Sequence, residues 1–390
     1  MSNTNNLPLD GIRIIDFTQV MMGPSATQML ADFGADVIKI ENPKGGDLSR
    51  TAFGATDEVG LNNPVFCSLN RNKRSLALDL RQDGNKDIVY ELIRDADVVV
   101  SNFRAGVMDR IGFGYDKLRE LNPRIIYASG SGYGPHGPYA HKGGQDVLAQ
   151  AMSGVMMRRA DASVPMSIYP TALCDYTAGM HLVQAVLAAL IGVAKTGEGQ
   201  RVEVSLYDSM IAMQMQEATC HLHSGKEINW AEMPLTGVFA TADGALVLVG
   251  AFKANPLQDI CNVLKIEDLS VDYPDLESQR AGKAYLQDRF RNEFANESTG
   301  YWIERLEAAD LLCAPVKNLA EVLEDPQTEA NEMIVEFEHP LNGQMQVIAC
   351  PIHFSSIDCG VRLAPPRLGQ HNAEILEELG MAPPAQASGA

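Results

Sequence analysis

The sequence has no Cys-x-x-Cys pair, and its cysteines (67, 174, 220, 261, 313, 350 and 359) are odd in number. That pattern points to reduced thiols in a cytoplasm. No apolar stretch reaches the roughly 18 uncharged residues of a membrane span with suitable flanks. The nearest, residues 176–194, includes Thr177, Gly179, His181 and Gln184 and reads as a buried core helix. The N-terminus is polar and carries no signal-peptide pattern. Positive charge is scarce: 31 Lys and Arg stand against 50 Asp and Glu, a net charge of −19. Such a surface repels nucleic acid and anionic membranes. Small anions are a different matter, because charge is screened beyond about 8 Å and a local cluster of Arg and Lys decides their binding. His221 and His223 lie two apart, unsuited to one helix face, with no carboxylate or cysteine at a ligand spacing, so no metal site is expected. There is no internal repeat.

What is present is a chain of 390 residues, 46% hydrophobic and 21% charged, long enough for two domains around sizeable cores. From the start, β-branched runs alternate with helical ones: 11–17, 36–40, 97–103 and 124–130 read as strands, and 24–33, 85–94 and 115–121 as helices. Strict alternation with doubly buried strands describes an α/β fold with a parallel sheet between helices. Ligands in such sheets bind beyond the carboxyl ends of the strands. That rule singles out Thr18 to Met22, Glu41 to Pro43, Asn102 to Arg104 and Gly130 to Gly137. Residues 201–205 and 207–215 supply one more strand and helix. The pattern then changes to a hairpin about Ala242-Asp243-Gly244 and helices near 255–265, 278–296 and 299–309. The division expected is a large domain over 1–225, a smaller α+β domain over 226–318, and a return segment over 319–390. That segment holds a second hairpin about Asn342-Gly343 and ends in a disordered tail.

Between Asp161 and Lys195 the chain carries one charged side chain, Asp175. An ionised group taken from water without a partner is costly, so this Asp is either a helix cap or a working group. Cys174 beside it reads as a small buried apolar residue. The Arg and Lys of R-N-K-R (71–74), with Arg81, Arg104, Arg110 and Lys142, are suited to a ligand bearing several phosphates. G-Y-G-P-H-G (132–137) is a weak dinucleotide fingerprint, since Pro138 follows and no helix opens there; it reads as a glycine-rich loop that a ligand can approach.

Together L-D-G-I-R-I-I-D-F-T-Q-V-M-M-G-P, L-A-D-F-G-A-D-V-I-K-I-E-N-P, V-S-N-F-R-A-G-V-M-D-R-I-G-F, the Asp175 segment, T-G-E-G-Q (196–200) and P-P-R-L-G-Q-H (365–371) resemble the class III coenzyme A transferases. The resemblance spans nearly the whole chain. It implies a Rossmann-like large domain, a small domain and two interlocked subunits. It also implies that Asp175 is the nucleophile that accepts an acyl group and then coenzyme A, with acyl-CoA and a small mono- or dicarboxylic acid as substrates and no permanently bound cofactor. Such a carboxylate must be ionised, so its pKa is expected well below 7, assisted by a helix start. The positions matching CoA contacts are Met21, Met22, Leu78, Asp79, Leu80, Arg81, Asn102, Phe103, Arg104, Arg110, Lys142, Gly143, Gly144 and Gln145. Asn42 stands where some relatives place an Arg.

The same fold carries 2-methylacyl-CoA racemases, which need a titrating pair about the α-carbon. Gln145 occupies the place of their histidine, and their supporting glutamate is replaced near Lys253, which disfavours that activity. A non-catalytic CoA-binding subunit is a further alternative, and retention of Asp175 argues against it. Met21 stands where the oxalate-specific branch has Gln, and no run of glycines occurs in the small-domain loop. A C4 to C5 dicarboxylate with succinyl-CoA as donor is therefore the substrate expectation.

Overall fold

The computed structural model describes residues 7–52, 63–159, 163–339 and 343–381. The chain divides into two compact units. One comprises residues 1–155, 168–214 and 326–390, the other residues 156–167 and 215–325.

In the first unit six strands, β1 (Arg13–Asp16), β2 (Asp36–Glu41), β3 (Lys73–Ala77), β4 (Val98–Ser101), β5 (Ile126–Ser131) and β6 (Arg201–Ser205), make one parallel sheet in the order β3-β2-β1-β4-β5-β6. This is the doubly wound order, which reverses between β1 and β4. Between and after the strands come α1 (Met22–Asp32), α2 (Pro64–Cys67), α3 (Asn85–Arg94), α4 (Val107–Ile111), α5 (Tyr115–Leu121), α6 (Asp146–Met152), α7 (Leu173–Thr196) and α8 (Leu206–Met213).

Side chains of successive strand residues point to opposite faces, and the sequence feeds both. Ile14, Val37, Val98, Val100 and Ile126 pack with Leu30 of α1 and Leu182, Val186 and Val193 of α7. Ile15, Ile38, Leu76, Val99 and Tyr127 pack with Val89 and Leu92 of α3 and Leu118 of α5. By length and composition α7 could cross a membrane, but one of its faces lies in this core. It ends at Gly197, whose φ of 76° provides the left-handed cap.

The second unit holds α9 (Met215–Ser224) and an antiparallel sheet of β7 (Thr236–Ala240), β8 (Ala245–Val249) and β9 (Leu312–Pro315). The helices α10 (Pro256–Leu264), α11 (Leu276–Ala281), α12 (Lys283–Phe294), α13 (Thr299–Ala308) and α14 (Leu319–Leu323) accompany it. Phe239 and Leu248 pack there with Ile260, Phe290, Phe294 and Trp302. The return segment adds to the first unit α15 (Pro326–Ala330), the hairpin of β10 (Ile334–His339) and β11 (Gly343–Ile348), and α16 (Asn372–Glu378). Asn342 of the expected turn lies outside the described residues, as does the tail from residue 382.

The R-N-K-R segment, expected among the cations suited to a ligand bearing several phosphates, instead leads into β3, whose first residues are Lys73 and Arg74. Arg71 pairs with Asp32 at 2.7 Å, Lys73 with Asp16 at 3.3 Å and Arg74 with Asp36 at 2.7 Å. All three cations are buried. Pattern reading misses β3 because charged residues stand where a doubly covered strand should be apolar, and carboxylates from β1, α1 and β2 satisfy them.

Candidate active site

The loop after β1 is held from below by buried charge. Asp16 accepts from the backbone N–H of Thr18 at 2.7 Å and from the Thr27 hydroxyl at 2.8 Å. Lys39 donates to the Thr18 carbonyl at 2.7 Å and pairs with Asp47 at 2.8 Å. Asp47 in turn accepts from the Val20 N–H at 3.0 Å. Lys39, foremost among the opposing groups, holds the Asp47 carboxyl down to about 2 against the upward push of burial. Across the switch point, Asn102 accepts from the Gln19 N–H and donates to the Gln19 carbonyl, each at 2.8 Å. Val20 is thereby fixed at φ 68°, a strained conformation for a β-branched residue. Met21 and Met22 follow from this rigid turn.

Met22 is buried with Ala149, Cys174 and Ala178, which places it against the start of α7. A Cβ on Gly130 would come within 2.5 Å of its sulfur, and one on Gly179 within 2.8 Å of its carbonyl oxygen. Glycine at both positions lets β5 and α7 close on the loop. Gly132 and Gly144 touch backbone to backbone, and the Arg104 guanidinium lies against Gly143, where a Cβ would meet it at 2.5 Å. Residues 142–145 are thus docked at the ends of β4 and β5. Lys142 lies over the Tyr139 ring at 4.2 Å. Gln145 caps α6, its side chain accepting from the Val147 N–H at 3.0 Å.

Asp175 occupies the first turn of α7 and is half-buried. It is not the cap. The N–H groups of Cys174 and Asp175 both donate to Asp146, at 2.7 and 3.0 Å. Burial first, and then the neighbouring Asp146 charge, push the Asp175 carboxyl up to about 6. The expectation of a pKa well below 7 is therefore corrected: the donors of the helix start go to another carboxylate. Cys174 is buried, and its thiol is pushed up to about 12 by burial first and then by Asp146 and Asp175, so it is inert as a nucleophile.

Among the residues expected at the site, the fold brings Met21, Met22, Asn102, Phe103, Arg104 and the 142–145 loop to the ends of β1, β4 and β5. Leu78, Asp79, Leu80 and Arg81 follow β3, the edge strand, two places from β1. Arg81 is exposed and forks onto Asp79 at 2.9 and 2.8 Å, which holds the Asp79 carboxyl down at about 2. Arg110 lies in the last turn of α4, also exposed. Sequence reasoning passed over Asp146, Gln150 and the Asp16–Lys39–Asp47 group. The spacing of Asp146 and Gln150, one helical turn, was the available signal.

The family model described as CoA-transferase family III matches residues 9–372. The chain belongs to CoA-transferase family III. It is 35% identical to a succinyl-CoA:mesaconate CoA-transferase of Haloarcula hispanica, over 96% of each chain. A succinyl-CoA:glutarate CoA-transferase of Homo sapiens is 32% identical over 97% of this chain and 87% of its own. A formyl-CoA:oxalate CoA-transferase of Escherichia coli O157:H7 is 33% identical over 96% of each. The crystal structure of Rv3272 from M. tuberculosis superposes with a TM-score of 0.85 at 30% identity, covering 95% of this chain and 99% of that one. This family III CoA-transferase therefore acts on acyl-CoA and carboxylic acid substrates.

Proposed function

We propose that this CoA-transferase moves coenzyme A from donor to acceptor through Asp175. The observation that carries the reading is a half-buried carboxylate in the first turn of α7 that, among the described residues, receives no hydrogen bond and pairs with no cation. An Asp175 oxygen attacks the thioester carbonyl carbon, the C–S bond breaks, and coenzyme A leaves a mixed anhydride as its thiolate. The thiolate attacks the aspartyl carbonyl of that anhydride, releasing the donor acid and leaving an aspartyl-CoA thioester. The acceptor carboxylate attacks the aspartyl carbonyl of this thioester, the C–S bond breaks, and coenzyme A leaves again as its thiolate from a second anhydride. Attack of the returning thiolate on the acceptor's acyl carbon then yields the new acyl-CoA and restores Asp175. Covalent relay divides one difficult transfer into easier steps. With a pKa of about 6 the carboxyl is mostly ionised at neutral pH.

Coenzyme A enters and leaves as a substrate. Among the described residues no carboxylate pairs with Arg104, Arg110 or Lys142, on a chain of net charge −19. With Arg81, these cations suit the phosphates of coenzyme A. Gln145, a cap that cannot titrate, keeps the racemase reading disfavoured. The acceptor is a C4 to C5 dicarboxylate with succinyl-CoA as donor. Met21 in place of the oxalate branch's Gln supports this, as do the relatives named for glutarate and mesaconate.

Helix α9 buries none of its residues, and Met215 and Leu222 are exposed, which supports an interlocked homodimer. Threaded subunits would not exchange between tagged and untagged dimers on mixing. Free thiols at Cys174, Cys261 and Cys350 support a reducing cytoplasm.

The mechanism is tested by quenching enzyme in mid-turnover with hydroxylamine or borohydride and mapping the adduct. Label on Asp175, with transfer lost in Asp175→Ala, is the expected result; label elsewhere would overturn it. A mass-spectrometric panel of CoA donors against acids tests the substrate reading, which exclusive use of oxalate would defeat.

A further inference from the structure

Asp146 has no part in the steps above, yet its carboxylate holds the helix start that carries Asp175. It is 5% exposed. Its Oδ2 accepts from the N–H groups of Cys174 and Asp175, at 2.7 and 3.0 Å, and its Oδ1 accepts from Gln150 Nε2 at 2.6 Å. The same Gln150 nitrogen donates to the Tyr169 carbonyl at 3.2 Å and the Thr171 carbonyl at 3.4 Å, and Gln150 Oε1 accepts from the Tyr169 N–H at 3.0 Å. One pair on α6 therefore caps α7 and pins the segment that leads into it.

A carboxylate in the first turn of a helix ordinarily turns back to accept from the unpaired N–H groups there. Bonds of that kind stabilise its charge and weaken its attack on carbon. Here those donors are already occupied. On the reading that Asp175 is the nucleophile, we propose that Asp146, locked by Gln150, is a positioning residue: it caps α7 in place of Asp175 and leaves the Asp175 carboxylate free of protein hydrogen bonds and aimed at the thioester.

The electrostatics agree. Burial is the first cause of the raised Asp175 pKa, and Asp146 is the charged neighbour that adds to it. The elements packed on α7 bring other titratable groups: Asp32 on α1, Tyr127 on β5, Arg201 and Glu203 on β6, and Tyr207 and Asp208 on α8, with Cys174 and His181 on α7 itself. None of these is a cause of the Asp175 shift.

The test uses the full-length enzyme. Carbodiimide labelling of Asp175, read by peptide mapping across pH 4–8, reports its titration without any substrate. Succinyl-CoA with glutarate reports turnover. Asp146→Asn keeps an acceptor oxygen but loses the charge. It should move the Asp175 midpoint down by about one unit and lower kcat about 3- to 10-fold, with the KM for succinyl-CoA within about twofold. Asp146→Ala frees the helix donors for Asp175 and should move the midpoint further, with kcat down about 100-fold. A purely structural role would leave the midpoint in place. Should the Ala variant fail to fold, the Asn variant decides. A midpoint and kcat unchanged in Asp146→Asn would overturn the inference. The two ideas fail separately, because the quenched-turnover adduct tests whether Asp175 is the nucleophile, whereas the carbodiimide profile tests what Asp146 does to it.

Discussion

Lys73 Nζ lies 3.3 Å from Asp16 Oδ2, and neither side chain has any solvent exposure. The pair sits under the loop that presents Met21 and Met22, because Asp16 also accepts from Thr18 and Lys39 carries the Thr18 carbonyl. Removing one partner of a buried pair leaves the other uncompensated, at a cost of about 3–5 kcal/mol. Asp16→Asn removes the ion-pair partner of Lys73, leaving it its bonds to the Pro24 carbonyl and Asn70 Oδ1, and deprives Lys39 of one of its neighbouring countercharges. An unfolding free energy from denaturant titration lowered by that amount, with a raised KM for acyl-CoA as the 17–22 loop loosens, is the expected outcome.

Asp175 is destabilising where it stands. Its folded pKa of about 6 lies above the ordinary carboxyl value of 3.8, so in the window between them the folded chain holds a proton that the unfolded chain has lost. Stability from this group is therefore greatest below pH 3.8 and falls as pH rises towards 6. Asp47 has the opposite sign in a lower window: its stabilisation is present above 3.8 and is lost as pH falls through about 2. Asp175→Asn should therefore abolish transfer and at the same time stabilise the enzyme at pH 7 by about 3 kcal/mol. Thermal unfolding of the two proteins at pH 7 and pH 4.5 checks it, and the gap should shrink at the lower pH. In the active enzyme, kcat/KM should fall as pH drops through about 6.

The parts of this fold that the sequence discloses are those where one local rule governs. β1, β2 and β4 are short stretches dominated by Ile and Val between turn residues, and the hairpin at Ala242-Asp243-Gly244 has its turn chemistry in view. β3 obeys no local rule. Lys73 and Arg74 are tolerated in a buried strand by Asp16 and Asp36, which come from β1 and β2. The site divides the same way. Asp175 is conspicuous as a lone charge in an apolar stretch, whereas Asp146 stands in a polar, glycine-rich segment and finds its partners nearly thirty residues on. For that reason the sequence suggests a carboxylate at a helix start but not which carboxylate caps the helix, and the pKa inferred from a helix start is too low.

Gly144 tests the docking of the 142–145 loop. A Cβ there would lie 2.2 Å from the Gly132 Cα, a backbone atom that cannot turn aside as a side chain can. Gly144→Ala must push the loop off the end of β5, taking Lys142 with it and disturbing α6 through the Gln145 cap. The expected result is a loss in kcat/KM of about 100-fold, from a displacement near 1 Å of groups that contact neither reacting carbon. Gly137→Ala, at a position with open space but φ 85°, should instead cost about 1 kcal/mol in stability and little activity.

Arg81 separates a phosphate contact from a surface ion pair. It is exposed, and its fork is engaged by Asp79 at 2.9 and 2.8 Å, an arrangement worth little to stability at the surface. A phosphate would compete with Asp79 for the same two N–H groups, since a guanidinium presents one planar fork to either anion. Arg81→Ala should therefore leave the unfolding midpoint unchanged and raise the KM for acyl-CoA about 5- to 10-fold with kcat preserved, the signature of binding lost equally from ground and transition states. Asp79→Asn releases the fork and should lower that KM. Both effects should shrink between 50 and 500 mM salt, because exposed charges are screened. Steady-state kinetics of the two variants across that range would count against a phosphate contact at Arg81 if the Ala variant kept the parent KM.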